Sequence, residues 1–156
     1  MRHALKVLMV EDSDNDAFLA VDRLRRAGYD LTYQRVETEP DLKDALAREK
    51  WDLILSDYNL PCLGALQALQ ICKDLGPDIP FVVMSGSIGE EAVAELLRSG
   101  AHDYVSKDRA SGLGLVVENE LREAASRVAL RRENLEVRQR NAELMRLNDE
   151  LRKAHR

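Results

Sequence analysis

A chain of 156 residues is long enough for one domain of ordinary size with residues to spare, and its apolar fraction of 45% can supply a real core. Charge is unevenly spread: through Glu118 there are 13 Lys and Arg against 21 Asp and Glu, a net of −8, whereas from Asn119 onward the net is +3. An acidic body argues against nucleic acid as its direct partner, no apolar run reaches the roughly 18 residues of a membrane span, and Cys62 and Cys72 make neither a metal spacing nor a disulfide framework.

The start, Met1 to Ala4, runs straight into an apolar pattern without signal-peptide architecture, so the chain reads as cytoplasmic. Lys6 to Val10 is a short β-type run that ends at acidic residues. Ser13-Asp-Asn-Asp16 is a capping-box pattern, followed at helical spacing by Ala17, Phe18, Val21, Leu24 and Ala27 until Gly28 stops the helix. Leu31 to Val36 is a second, more polar strand. Thr38-Glu-Pro-Asp41 opens another helix, with Leu42, Ala45 and Leu46 on one face. Leu53 to Asp57 is a third strand and again ends at a carboxylate. Pro61 and Gly64 turn the chain into a helix over Ala65 to Leu75. A strand over Pro80 to Met84, a helix over Glu90 to Ser99 and a short strand over Asp103 to Val105 follow, and a last helix begins near Ser111 or Leu113.

Five repeats of strand then helix imply an α/β fold, a doubly wound parallel sheet with helices on both faces. Strands 1, 3 and 4 are nearly all apolar, as central strands buried on both sides must be. Strand 2 carries Thr32, Gln34 and Arg35, which suits an edge. The flavodoxin-like (βα)5 order 2-1-3-4-5 satisfies these constraints best. In such sheets the site lies at the carboxyl ends of the strands, near the switch point between strands 1 and 3.

Those ends carry Glu11 and Asp12 after strand 1, Asp57 at the end of strand 3, Ser85 at strand 4 and Lys107 just past strand 5. Three carboxylates in one pocket repel one another unless something positive joins them. A hard cation such as Mg²⁺ prefers oxygen ligands; Asp12 and Asp57 are the expected direct ligands, Glu11 binds directly or through water, and the backbone carbonyl of Asn59 completes the protein set. The same parts suit phosphoryl transfer. Asp57 attacks phosphorus to form an acyl phosphate, Lys107 and the metal neutralise the transferred oxygens, and the Ser85 hydroxyl donates to another. This reading requires that the carboxylate of residue 57 be open and within reach of its neighbours.

The segments Val10-Glu11-Asp12, Ser56-Asp57-Tyr-Asn-Leu-Pro61, Val82-Val-Met-Ser85-Gly and Tyr104-Val-Ser-Lys107 resemble the response-regulator receiver family over about residues 4 to 125. Each segment alone is weak, but all four in order at the family's spacing are specific. The resemblance implies that Asp57 is the phosphoacceptor, Glu11 and Asp12 the acidic pair, Ser85 the hydroxyl, Lys107 the lysine and Tyr104 the switch aromatic. The partner it implies is a sensor histidine kinase or phosphotransfer protein. Two departures stand out. The family often has a cis proline after its lysine, whereas Asp108 follows Lys107, and a non-proline cis bond costs about 3 kcal/mol; a trans, differently shaped loop is expected. Ala65, with Gly64 before it, replaces a frequent glycine. The segment Ser85 to Glu91 and the Lys107-Asp108 pair look like receivers joined to sensory or enzymatic outputs rather than to DNA-binding domains.

From Leu113 to Arg156 there is no proline, and no glycine after Gly114. A helix of that length is a rod of roughly 66 Å, more than one domain can cover. Leu121, Val128, Leu135 and Ala142 recur every seven residues, as do Leu130, Val137, Leu144 and Leu151. The second series is preceded at an offset of three by Arg127, Asn134, Asn141 and Asn148. Asn at an a position specifies register and dimer state. A parallel homodimeric coiled coil is expected, its register handing over near residues 135 to 144. The expected division is a receiver domain over 1–125 and a helical extension over 126–156, and the chain reads as a piece of a longer protein whose output domain lies elsewhere.

Each residue also has a plainer reading. Asp57 can be read as a mere strand-end acid, Glu11 and Asp12 as a solvated turn, Ser85 as a helix cap, Lys107 as a surface lysine and Tyr104 as a packed tyrosine; convergence at one sheet edge favours the functional reading, least so for Tyr104. Cys62 and Cys72 are read as inert, and His3, His102 and His155 as solvent-facing. Gly86 and Gly89 lack the Gly-Lys-Ser/Thr ending of a phosphate loop. Two other functions compete: a dimerisation scaffold independent of phosphorylation, and a phosphatase with an aspartyl-phosphate intermediate. Asn59 stands where the latter would need its second acid, so no enzymatic activity is expected beyond the chain's own phosphorylation and dephosphorylation.

Overall fold

The computed structural model describes residues 3–86 and 89–155. The elements run β1 (His3–Val10), α1 (Asp14–Arg26), β2 (Tyr29–Val36), α2 (Glu39–Arg48), β3 (Leu53–Asp57), α3 (Ala65–Leu75), β4 (Phe81–Ser85), α4 (Glu90–Arg98), β5 (Asp103–Ser106), a 3-10 stretch (Lys107–Gly112) and α5 (Leu113–Ala154). The strands form one parallel sheet in the order β2-β1-β3-β4-β5. That is the flavodoxin-like arrangement expected from the alternation of strand and helix.

Side chains alternate across a strand, so each central strand feeds two cores. Leu8, Val10, Ile54, Phe81 and Val83 meet Leu42 of α2, Leu69 of α3 and Leu96 of α4. On the other face Val7, Met9, Leu53, Leu55, Val82 and Met84 meet Ala17, Val21 and Leu24 of α1 and Leu113 and Val117 of α5. All five residues of β3, and all five of β4, are buried, which accounts for their unbroken apolar runs. β2 at the edge buries Leu31 and Val36 and leaves Thr32, Tyr33 and Gln34 exposed.

Local chemistry sets the helix ends. Ser13 accepts a hydrogen bond from the Asp16 backbone N–H, and Thr38 does the same for Asp41. Gly28 leaves α1 with φ of +103°, a conformation other residues enter at a cost. Gly114 is needed for a different reason: a Cβ there would lie 2.7 Å from the Cβ of Ala27, so α5 passes close to the end of α1. No cis peptide bond occurs among the described residues, and the chain after Lys107 winds into a 3-10 stretch broken at Arg109.

Solvent-facing placement holds for His3 and His155 but not for His102, which is half-buried. Its Nδ1 accepts from the Phe81 N–H at 2.9 Å, and its backbone N–H donates to the Phe81 carbonyl at 2.9 Å. The imidazole thus substitutes for a strand partner at the start of β4. Cys72 is buried, and burial pushes its thiol up to about 12, in keeping with an inert side chain.

The chain divides into two units, Met1–Ala124 and Ala125–Arg156. Within the first, α5 buries Leu113, Val117, Glu120 and Ala124. The second unit is helical through Ala154, and every side chain from 129 to 155 is exposed, Leu130, Leu135, Val137, Leu144, Met145 and Leu151 included. No described helix is long and apolar enough to cross a membrane.

Candidate functional site

Parallel pairing puts the carboxyl ends of β1 and β3 side by side, with Val10 opposite Ser56, so Glu11, Asp12 and Asp57 leave the sheet together. One carboxylate oxygen from each lies within 4.8 Å of the others. Three acidic oxygens at that spacing are a donor set that hard divalent cations favour. Glu11 is buried, and its Oε1 accepts from the backbone N–H groups of Asp12 and Ser13, both at 3.1 Å. Asp12 is exposed beside it. Across the edge, Arg35 of β2 donates to the Glu11 carbonyl and to Glu37, and it pairs with Asp14, so the acidic loop is tied to the sheet margin.

The Lys107 ammonium closes the group. Its Nζ lies 3.2 Å from Asp57 Oδ2 and 3.5 Å from Glu11 Oε2. Nearest of all is Asp16 Oδ2, at 2.6 Å. Burial works against the charge of Lys107, but Asp16, Glu11 and Asp57 outweigh it and hold the lysine above its ordinary pKa. Glu11 moves the other way for a carboxylate. Burial raises it most; the Ser13 N–H and Lys107 pull it down, Asp57 and Asp16 push it up, and the balance is about 7.

Asp57 is buried, at 8% exposure, against the open carboxylate that the sequence reading required, although it stays within reach of its neighbours as that reading also required. The convergence of neighbours is the cause. The carboxylate lies in a cleft that Glu11, Asp16 and Lys107 also line, over Met9, Leu55 and Met84. Its Oδ1 accepts from the Asn59 N–H at 3.3 Å, which orients the carboxyl group.

Ser85 ends β4 and is fully buried. Its Oγ has no hydrogen-bond partner among the described residues and does not bond Asp57 or Lys107. Tyr104, half-buried against the helical core, donates through its hydroxyl to the Ser85 carbonyl at 3.4 Å. The chain therefore brings Glu11, Asp12, Asp57, Asn59 and Lys107 together and leaves Ser85 and Tyr104 as a separate pair beside them. Of the segment Ser85 to Glu91, Ser87 and Ile88 lie outside the described residues.

Asp16 was missed by the sequence reading, which gave it to the capping box. Only one arm of that box forms. The Ser13 N–H, which the acid of a capping box would normally take, is held by Glu11. Asp12 precedes the helix, which begins at Asp14 after the extended Ser13 cap, so no helical spacing from the acidic pair marks Asp16 in the sequence.

Comparisons with known proteins bear on the fold and the family. The family described as response regulator receiver domain matches residues 7–114. The regulatory protein LuxO of Vibrio cholerae is 32% identical over 118 residues, 75% of this chain and 26% of its own length. The signal receiver domain of a LuxO repressor protein from Vibrio parahaemolyticus superposes with a TM-score of 0.70 at 25% identity, covering 83% of this chain and 98% of that one. The receiver domain of the sensor histidine kinase PA1611 from Pseudomonas aeruginosa, solved with magnesium coordinated in its active site cleft, gives 0.64 at 22% identity over 76% and 98% of the two chains. The chain spans about a quarter of the length of the curated relatives it matches.

Proposed function

The chain belongs to the response regulator receiver domain family, and from that premise we propose that Asp57 accepts a phosphoryl group from the phosphohistidine of a sensor kinase or phosphotransfer protein. An Asp57 oxygen attacks phosphorus, the P–N bond breaks, and the departing imidazole keeps the electron pair and takes up a proton. Hydrolysis of the acyl phosphate later returns the carboxylate and releases inorganic phosphate. The observation that carries this reading is the Lys107 ammonium, 3.2 Å from Asp57, beside the carboxylate cluster of Glu11, Asp12 and Asp57.

Glu11, Asp12 and Asp57, with the Asn59 carbonyl, would hold a magnesium ion, which supplies positive charge to the phosphoryl oxygens. Lys107 neutralises a second oxygen of the transferred group. The buried Ser85 hydroxyl, without a partner of its own, turns to a third. Tyr104 follows it, because its hydroxyl is bonded to the Ser85 carbonyl. Incubation with Mg²⁺ and acetyl phosphate should add one phosphoryl group by intact mass, and Asp57→Asn should abolish it; an unchanged wild-type mass rejects the assignment.

The receiver spans 1–125, and the extension over 126–156 pairs with a second copy as a parallel coiled coil. Its support is the heptad spacing of Leu130, Val137, Leu144 and Leu151, all exposed on the helix. A lone helix in water is marginally stable, and packing of its apolar stripe supplies what is missing.

A further inference from the structure

Lys107 carries one positive charge and faces three carboxylates, and the nearest belongs to α1. Asp16 Oδ2 lies at 2.6 Å, against 3.2 Å for Asp57 and 3.5 Å for Glu11. An acid at this position of the first helical turn usually reaches back to the N–H of the capping residue. Here Glu11 Oε1 takes the Ser13 N–H, so the Asp16 carboxylate is released for the lysine. The other acid of that turn, Asp14, is turned to Arg35 of β2. The Lys107 side chain is 17% exposed and that of Asp16 is 38% exposed, so the pair is less screened than one in open solvent.

We propose that Asp16 is a positioning residue: it holds the Lys107 ammonium at rest and competes for it with the phosphoryl group on Asp57, so that α1 sets how tightly the phosphorylated state is held. The proposal rests on the reading of Asp57 as phosphoacceptor. Three N–H protons can serve Asp16, Asp57 and Glu11 together while Asp57 is a bare carboxylate. A phosphoryl group adds close to two negative charges and three strong acceptor oxygens and calls on the same donors. Whatever share of the ammonium Asp16 retains is withheld from it. The plainer role, an acid that merely complements the N-terminal end of a helix, predicts a loss of stability and no effect on a phosphoryl mimic.

The test is calorimetric titration of the full chain with beryllium fluoride, a phosphoryl mimic, at saturating Mg²⁺. Binding by the folded wild-type chain that Asp57→Asn abolishes is the first requirement; its absence rejects the phosphoacceptor reading and, with it, the role of Asp16. Where wild type binds, Asp16→Asn is expected to bind about 5-fold more tightly, a modest ion-pair effect. Asp16→Glu, which keeps the charge within reach of Lys107, returns the affinity to the wild-type value. The gain disappears when Asp16→Asn is made in a Lys107→Met background, and Asp22→Asn, a charge removed further along α1, leaves the affinity unchanged. Equal or weaker binding by Asp16→Asn, or the same gain without Lys107, overturns the proposal while leaving Asp57 as phosphoacceptor. Melting temperature is followed alongside: a purely helical role lowers it equally in both lysine backgrounds and leaves the affinity where it was.

Discussion

Glu11, proposed above as a cation ligand, is buried in a way that favours its protonated form, and the balance lies near 7 rather than at the ordinary 4.5. A raised folded-state value means that the protonated group favours folding fully below the unfolded value near 4.5, and that this contribution fades as pH rises through 7. Cation binding needs the ionised form, so its dependence has the opposite sign. Magnesium affinity measured by calorimetry should rise by about 10-fold from pH 6 to pH 8, the ratio of ionised fractions around such a group, while the melting temperature in chelator falls over the same interval. Equal affinity at the two pH values would show that Glu11 does not gate the cation. Ser85 offers a second test. A buried hydroxyl without a partner stabilises nothing, and leaving one unpaired costs about 1–3 kcal/mol. Ser85→Ala should therefore match or exceed the wild-type melting temperature yet form the acyl phosphate about 100-fold more slowly, the scale of one lost donor. Most of this site was legible beforehand, because Glu11, Asp12, Asp57 and Lys107 each sit where a strand ends. Asp16 was not, since a local capping role explained it until folding brought in a lysine 91 positions away.

Elements were legible in proportion to how fully their pattern follows from burial. β3 and β4 are buried throughout, so their sequences admit little besides a central strand. His102 shows the limit: its ring stands in for a backbone partner of Phe81, and no periodicity records such a substitution. The contact between the start of α5 and the end of α1 was equally hidden, because one glycine carries it. Gly114→Ala places a methyl group against Ala27 and should cost about 1–3 kcal/mol in denaturant unfolding. Gly112→Ala, with nothing within 4 Å of its added Cβ, is the matched control and should leave stability unchanged or improve it. Similar midpoints for the two variants would mean that the helices separate without penalty.

At the scale of the whole molecule, the two units have different needs. Met1–Ala124 contains both cores, whereas the helix beyond it exposes an apolar stripe. A chain ending at Ala124 should sediment as a monomer and still take one phosphoryl group from acetyl phosphate. The full chain should sediment as a dimer, and Leu144→Lys should return it to monomer without touching phosphorylation. A full chain that stays monomeric at high concentration would remove the coiled coil. The sheet also has a consequence for synthesis. The acids Glu11, Asp12 and Asp57 emerge from the ribosome early, but Lys107, which pairs with Glu11 and Asp57, comes only at the first residue after β5. A nascent chain halted before that strand holds its acids without their counter-charge, and a kinase meeting it would find no competent acceptor. With Asp57 as the phosphoacceptor proposed above, its phosphorylation waits for translation to pass β5 and for Lys107 to reach the sheet edge.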